Sequence, residues 1–379
     1  MYNVLTAETL TLHFLSRRNE LRYMAPDPAF KKRAELMIGI CLMMTMFFSL
    51  ASCGSSLPDK GTPAEETRRI IIDTDAGADD AAAIILAAKN SGVAIEGVTV
   101  LAGNVDVEQA AKNALTALET AGATAPVYKG ASESAAGVKW DPYSVFGEDG
   151  MGDADLVHPS GKAEDGDAVD FILETVRNDP GGIEIMVLGP ATNIANAIQK
   201  DPETMKQVKM IWSMGTTGLG PGNATPVAEF NVYSDPEAYK IMLDSGIPVT
   251  VTGLDMCMGD SMWSDEQFRK LEASGDAGAF LSKAFAKIRD FYRGNGEESV
   301  AVCDPVALLC AMDEDFLRDS ITCHGSCITE EGETYGEVLF YKKGFTYDWD
   351  VPEGLVYNVR LVTDVDRTGY FDRYLRGIK

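Results

Sequence analysis

The chain has 379 residues, with 58 Asp and Glu against 33 Lys and Arg and a formal net charge of −25. Such an acidic excess repels phosphate backbones and anionic membrane surfaces, so nucleic acid is excluded as a partner and a bound cation is favoured. Seven cysteines and three histidines, with no paired C-x-x-C spacing, leave neither a zinc centre nor a disulfide framework.

In chain order, residues 1 to 23 carry no export signature, and Met24 is an alternative start. Lys31, Lys32 and Arg33 precede an apolar stretch from Leu36 to Leu50. At about 15 residues this stretch is short for a membrane span of about 20. A basic region, an apolar region and small residues before a cut site describe a secretory signal. Leu50-Ala51-Ser52-Cys53 resembles a bacterial lipobox, which implies Cys53 as a lipid-modified first residue. The protein is then exported and anchored in a lipid bilayer at the cell envelope, on its outer or periplasmic face. A transmembrane anchor or a buried core helix is the alternative reading. Residues 1–52 are thus the signal region, and 53–66 a polar, Pro/Gly-containing tether. Residues 67–379, roughly 300, suffice for one large domain with a sizeable core.

Within that domain strands and helices alternate. Arg69 to Ile72 reads as a buried strand, Ala81 to Ala88 as a helix, Val93 to Leu101 as a strand and Val105 to Ala121 as a helix. Pro126 to Tyr128 is a short strand and Ala168 to Arg177 a helix, ended by Asn178-Asp179-Pro180-Gly181-Gly182. Then come strand Ile183 to Leu188, helix Asn193 to Gln199, strand Val208 to Met214, helix Pro236 to Asp244 and strand Ile247 to Gly253. Ser264 to Phe291 has a helical pattern, which Asp304 to Ala311 continues. Strands at Glu337 to Tyr341 and Leu355 to Leu361 precede a closing amphipathic segment. This alternation predicts an α/β fold with a mostly parallel central sheet flanked by helices, open and Rossmann-like, in which ligands bind beyond the carboxyl ends of the strands.

Residues 73 to 80, Asp73-Thr74-Asp75-Ala76-Gly77-Ala78-Asp79-Asp80, place four carboxylates at one such strand-to-helix turn. Crowding of that kind is unfavourable unless a cation or shared protons relieve it. Other segments follow strand ends in the same way: Gly103-Asn104, Gly189-Pro190-Ala191-Thr192-Asn193, Gly222-Asn223, Ala228-Glu229-Phe230-Asn231, Asp235-Pro236 and Cys303-Asp304-Pro305. Each alone is compatible with helix capping, the preferred reading for Thr192 and Asp235.

Taken in order, these segments closely resemble the inosine-uridine-preferring nucleoside hydrolases, from about Arg69 to the C-terminus. The resemblance implies Ca²⁺ held by Asp75, Asp80, the Leu188 carbonyl and Asp304, in keeping with calcium's preference for oxygen ligands. It places the substrate, a ribonucleoside, against Asp79, Asn104, Met214, Asn223, Glu229, Phe230 and Asn231. Asp75 would take the proton from water, while Asp73, on the strand, is structural. Hydrolysis of an N-glycosidic bond passes through an oxocarbenium-like sugar, whose positive charge nearby carboxylates stabilise.

Two positions depart from the pattern. Cys303 stands where many relatives have a His that acts as the acid for the leaving base. Phe146 stands where another His precedes an early Gly-x-x-Gly-x-Gly segment. Cys303 then has two candidate roles, proton donor or wall of the base pocket. Base selection falls to loops around Val138 to Asp155 and Phe291 to Val302. A lipoprotein that binds nucleosides without cleaving them, and a hydrolase of another N-riboside, are the rival readings. A homo-oligomer is left open, as is a Cys323–Cys327 bridge.

Overall fold

A computed structural model describes residues 67–134, 143–344 and 354–379. The expected signal region, Cys53 and the whole tether lie outside the described residues, as does the stretch 138–142 of the first base-selecting loop. The strands are β1 (Arg68–Thr74), β2 (Val93–Val100), β3 (Val127–Lys129), β4 (Ile183–Val187), β5 (Met210–Met214), β6 (Val249–Thr252), β7 (Trp263–Ser264), β8 (Ser299–Val300), β9 (Leu317–Cys327), β10 (Val338–Lys342) and β11 (Val359–Val365). All but β7 and β8, which pair with each other, join one sheet in the order β10-β9-β11-β6-β5-β4-β1-β2-β3. From β11 to β3 every neighbour is parallel, and β9 and β10 complete one edge antiparallel. The expected α/β fold with a mostly parallel, helix-flanked sheet is what the chain adopts.

The strand order reverses at β1. The chain first builds outward to β2 and β3, then returns to lay β4, β5 and β6 on the other side. A crevice at such a switch point is where open α/β sheets bind ligands. Asp73 on β1 is level with Val187 on β4, so residues 75 and 188 emerge side by side at the carboxyl edge. Helix Ala78–Lys89 leaves that edge and is buried from Ala78 to Ala87. It is enclosed by the sheet and by helices Val107–Ala121, Asp276–Ala284, Asp304–Met312 and Tyr370–Gly377. Ala81, Ala82 and Ala83 let those neighbours approach closely.

Three expectations need correction. The helical pattern from Ser264 to Phe291 is three helices, Asp265–Glu272, Asp276–Ala284 and Ala286–Gly294, because Gly275 adopts φ 131° and turns the chain between the first two. The strand expected at 355–361 begins at Val359. Asn358 instead donates to the carbonyls of Leu243 and Ile247, at 3.0 and 2.8 Å, and pins the approach to β11. Strand β9 was not expected, since its first half is largely exposed and polar and lacks a two-residue apolar period. Cys323 and Cys327 both lie on β9 as buried free thiols. Four residues along one strand separate their Cα atoms by about 13 Å, too far for a bridge.

At the opposite end of β1 and β4 from the carboxylate turn lies a buried charge cluster. Glu184, 3% exposed, accepts from Trp212 Nε1 at 2.7 Å, Arg68 Nε at 3.2 Å and Lys209 Nζ at 3.1 Å, with Arg68 Nη2 closer still. Burial works to raise its pKa, but these donors outweigh it and hold the carboxyl below its ordinary value. Its stabilising effect is therefore complete above the ordinary carboxylate range and is lost as pH falls through the lowered value. Removing a buried partner leaves donors unpaired, so Glu184→Ala should lower the unfolding free energy by about 2–4 kcal/mol at neutral pH. Urea titrations at pH 7 and pH 4 check this, with the gap from wild type narrowing at the lower pH.

Candidate active site

The turn after β1 is held in an uncommon backbone conformation. Ala76 sits at φ 48°, a region that costs a non-glycine residue energy and persists only where neighbours enforce it. Asn113, fully buried, supplies one such restraint by donating to the Ala76 carbonyl at 2.8 Å. Asp73 supplies another from the strand below. Its Oδ1 accepts from Thr99 Oγ1 at 2.5 Å and Asn193 Nδ2 at 2.8 Å, while burial pushes its pKa up to about 7. Asp73 is thus a structural link between β1, β2 and the helix at Thr192–Lys200. Asp235 caps helix Pro236–Asp244, as expected, whereas Thr192 is the first residue of its helix, caps no N–H there, and instead donates its hydroxyl to Asp235 at 2.7 Å.

Above this base the carboxylates gather. Asp80 accepts from Thr74 Oγ1, from the Gly77 N–H at 2.8 Å and from Asn104 Nδ2 at 3.3 Å. Asp75 Oδ2 accepts from the Asn104 N–H at 2.6 Å, whereas its Oδ1 is buried without a hydrogen-bond partner. A side chain at Gly103 would place its Cβ 2.1 Å from Asp75 Oδ2, so only glycine permits this approach. Oxygens of Asp79, Asp80 and Asp304 all lie within 4.8 Å of one another, an arrangement able to hold a metal ion. Asp304 comes from the first turn of helix Asp304–Met312, so two helix starts converge on one point.

No positive side chain appears among the leading influences on these groups. Burial pushes Asp79 up to about 6 and, with Asp79 nearby, Asp75 up to about 7. Asp80 and Asp304 are raised well above the carboxylate range by burial and by the other members of the cluster. The donor set consists of hard oxygens with one lone-pair-bearing atom left open at Asp75. That composition fits a hard divalent cation.

The next group comes from the strand ends on the other side of the crevice. Glu229 caps the short helix Phe230–Ser234, accepting from the N–H groups of Asn231 at 3.0 Å, Val232 at 3.3 Å and Thr216 at 3.2 Å. Burial pushes its pKa up to about 7. Asn231 Nδ2 donates to the carbonyls of Leu188 at 2.7 Å and Met214 at 3.2 Å, joining the ends of β4 and β5. Asn223 Oδ1 accepts from the Phe230 N–H at 2.9 Å. The loop preceding Asn223 is held by Asp255, whose Oδ2 accepts from the Leu219 N–H at 3.0 Å.

One cavity brings together ten of the residues expected from the sequence: Asp79, Asn104, Leu188, Met214, Asn223, Glu229, Phe230, Asn231, Cys303 and Asp304. Asp75 and Asp80 are wholly buried and are not among its lining residues. Asp79, expected against the sugar, belongs to the metal-capable trio together with Asp80 and Asp304, two of the expected ligands. The remaining wall is apolar and includes Val145, Phe146, Leu254, Ile288, Phe291, Tyr292 and Ala301. Ile288, Phe291 and Tyr292 lie on one helix at spacings that, in sequence, look like an ordinary core face. Leu254 had no distinguishing signal. Cys303 donates its N–H to Asp79 Oδ2 at 3.4 Å, and its carbonyl oxygen lies 3.8 Å from the thiol of Cys257. The nearby Cys257 side chain and burial raise the Cys303 pKa well above that of a free thiol.

Comparison with known proteins gives these contacts a context. Residues 70–372 match the family model described as inosine-uridine preferring nucleoside hydrolase. An uncharacterised protein of Schizosaccharomyces pombe is 44% identical over 190 residues, 50% of this chain and 61% of that protein. The pyrimidine-specific ribonucleoside hydrolase RihB of Escherichia coli is 30% identical over 303 residues, 77% of this chain and 96% of the relative. Among solved structures, a purine-preferring ribonucleoside hydrolase from Gardnerella vaginalis superposes with a TM-score of 0.74 at 28% identity, over 82% of this chain and 98% of that one. With the family model spanning almost the whole sheet and every segment that lines the cavity, the chain belongs to the inosine-uridine preferring nucleoside hydrolase family.

Proposed function

We propose that the domain from residue 67 onward hydrolyses the N-glycosidic bond of ribonucleosides, releasing free base and ribose. The observation that carries this reading is Asp75 Oδ1, a buried carboxylate oxygen without a partner beside an acidic, metal-capable trio. Asp75, Asp80, Asp304 and the Leu188 carbonyl would hold Ca²⁺, with Asp79 at the same point. When bound, that ion lowers the pKa of a water and fixes its direction of attack.

The chain's own groups perform the rest. Asp75 accepts the proton of the attacking water, and the Asn104 N–H keeps its other oxygen in place. Asp79, Asn104, Asn223, Glu229 and Asn231 receive the ribose hydroxyls. Glu229 retains acceptor capacity after its three backbone donors, since a carboxylate offers about four lone-pair sites. Positive charge developing on the sugar faces these carboxylates and is stabilised by them. The base leaves toward the apolar wall, where Cys303, in place of a family His, donates a hydrogen bond from a thiol that stays protonated. Phe146 and Phe230 line the same cavity. RihB is named as pyrimidine-specific and the Gardnerella enzyme as purine-preferring, and in this reading the apolar wall, not the acidic end, sets base preference.

Incubation with inosine, uridine, adenosine and cytidine, followed by a reducing-sugar assay, should release ribose from at least one of them. Asp75→Asn should lower that rate by about 10²–10⁴-fold, the usual contribution of a general base. Binding of intact nucleoside with no release from any of the four would favour a non-catalytic riboside-binding protein instead.

Removing calcium supplies a separate check. Stripping with a chelator should lower the melting temperature, and calcium at 100 times its dissociation constant should restore about 2.7 kcal/mol. Asp304→Asn should abolish that restoration. Equal melting of the stripped and calcium-loaded protein would refute a resident ion.

We further propose that residues 53–66 tether this domain to an envelope membrane through lipid on Cys53, after removal of residues 1–52. The basic and apolar run before Leu50-Ala51-Ser52-Cys53 supports it. Expressed in a bacterium, the full chain should fractionate with membranes and Cys53→Ser with the soluble material.

A further inference from the structure

Cys257 has no part in the chemistry above, yet it touches it. It ends the short helix Leu254–Cys257, which follows β6, and is fully buried. Its Sγ lies 3.8 Å from the Gly253 carbonyl oxygen and 3.8 Å from that of Cys303. The two side chains also lie near enough to influence each other's ionisation. Cys303 is only partly buried and lines the cavity, so a small molecule entering the cavity meets one member of the pair. The other free cysteines among the described residues sit elsewhere: Cys310 farther along helix Asp304–Met312, and Cys323 and Cys327 on β9.

We propose that Cys257 and Cys303 are an oxidisable dithiol in the wall of the active cavity, which a small disulfide or azo-type oxidant converts to a disulfide. Both S–H bonds break and one S–S bond forms. The two hydrogens and two electrons pass to the oxidant, so that a disulfide yields two thiols and an azodicarboxamide yields the corresponding hydrazine. Bonded sulfurs lie about 2.05 Å apart, closer than two unbonded thiols, so forming the bond draws the Cys257 and Cys303 side chains together. Cys303 also donates its N–H to Asp79 and immediately precedes Asp304. The same movement therefore draws on two members of the carboxylate trio. Oxidation reshapes the base end of the cavity and disturbs the acidic site together.

The loss of activity rests on the proposed hydrolase function; the linkage itself does not. The test treats the purified full chain with diamide at neutral pH, blocks remaining thiols in denaturant, and maps cross-linked peptides by tandem mass spectrometry. The expected result is a link between Cys257 and Cys303, distinguished from Cys310 in the fragment spectra, with nucleoside hydrolysis reduced at least ten-fold and restored by dithiothreitol. Cys257→Ser should hydrolyse nucleoside like the wild type and keep its rate under diamide. No link between these two positions, or a link with undiminished hydrolysis, would overturn the proposal. If neither reduced nor oxidised protein hydrolyses any nucleoside, the function reading fails, and the peptide map still decides whether the dithiol exists. An equal rate loss in Cys257→Ser under diamide would place the sensitive group elsewhere.

Discussion

Buried negative charges without positive partners govern this molecule. Asp75, Asp79 and Asp80 are held at the carboxyl edge of the sheet by backbone N–H groups, the Thr74 hydroxyl and an asparagine amide, and Asp304 joins them from the first turn of its helix. A lysine among them would settle the electrostatics and remove the chemistry. Instead the fold invests rigidity: the left-handed Ala76, the buried Asn113 and the doubly bonded Asp73 hold the turn against the repulsion above it. A folded state built this way is matched to a divalent cation, because hard oxygen donors already converge where one would sit.

The two ends of the sheet show opposite solutions to burial. Glu184 is surrounded by Arg68, Lys209 and Trp212 and is held ionised. The carboxylates at the other end are pushed toward their protonated forms. A carboxylate thus serves as a structural strut at the amino end and, in the proposed function, as reactive equipment at the carboxyl end. The difference lies in the neighbours, not in depth.

How much was legible in the sequence follows from how local each signal is. Asp73 to Asp80 could be read because the turn, the strand before it and the helix after it lie within one short stretch. Asn104, Glu229, Asn231 and Asp304 could be placed because each stands in a short motif directly after a strand or at the first turn of a helix. Ile288 could not, since an apolar stripe on a helix looks alike whether it faces a core or a cavity, while Phe291 and Tyr292 fall in the segment 291–302 expected to select the base. The three-helix break at Gly275 and the polar strand β9 were missed because tertiary packing, rather than local pattern, decides them. Asp255 was missed for another reason: its role depends on a contact with Leu219, 36 residues away.

Asn231 joins two sites that are otherwise described separately. Its single amide nitrogen donates to the Leu188 carbonyl, one of the atoms proposed above to hold the cation, while the residue itself lines the cavity proposed to receive ribose. Any ligand that pulls this amide alters the electron density available at that carbonyl. With the cation and the nucleoside placed as proposed, the two would be energetically coupled, and coupling between two ligands is reciprocal. Whatever factor the ion changes nucleoside affinity by, the nucleoside would change the affinity for the ion by the same factor.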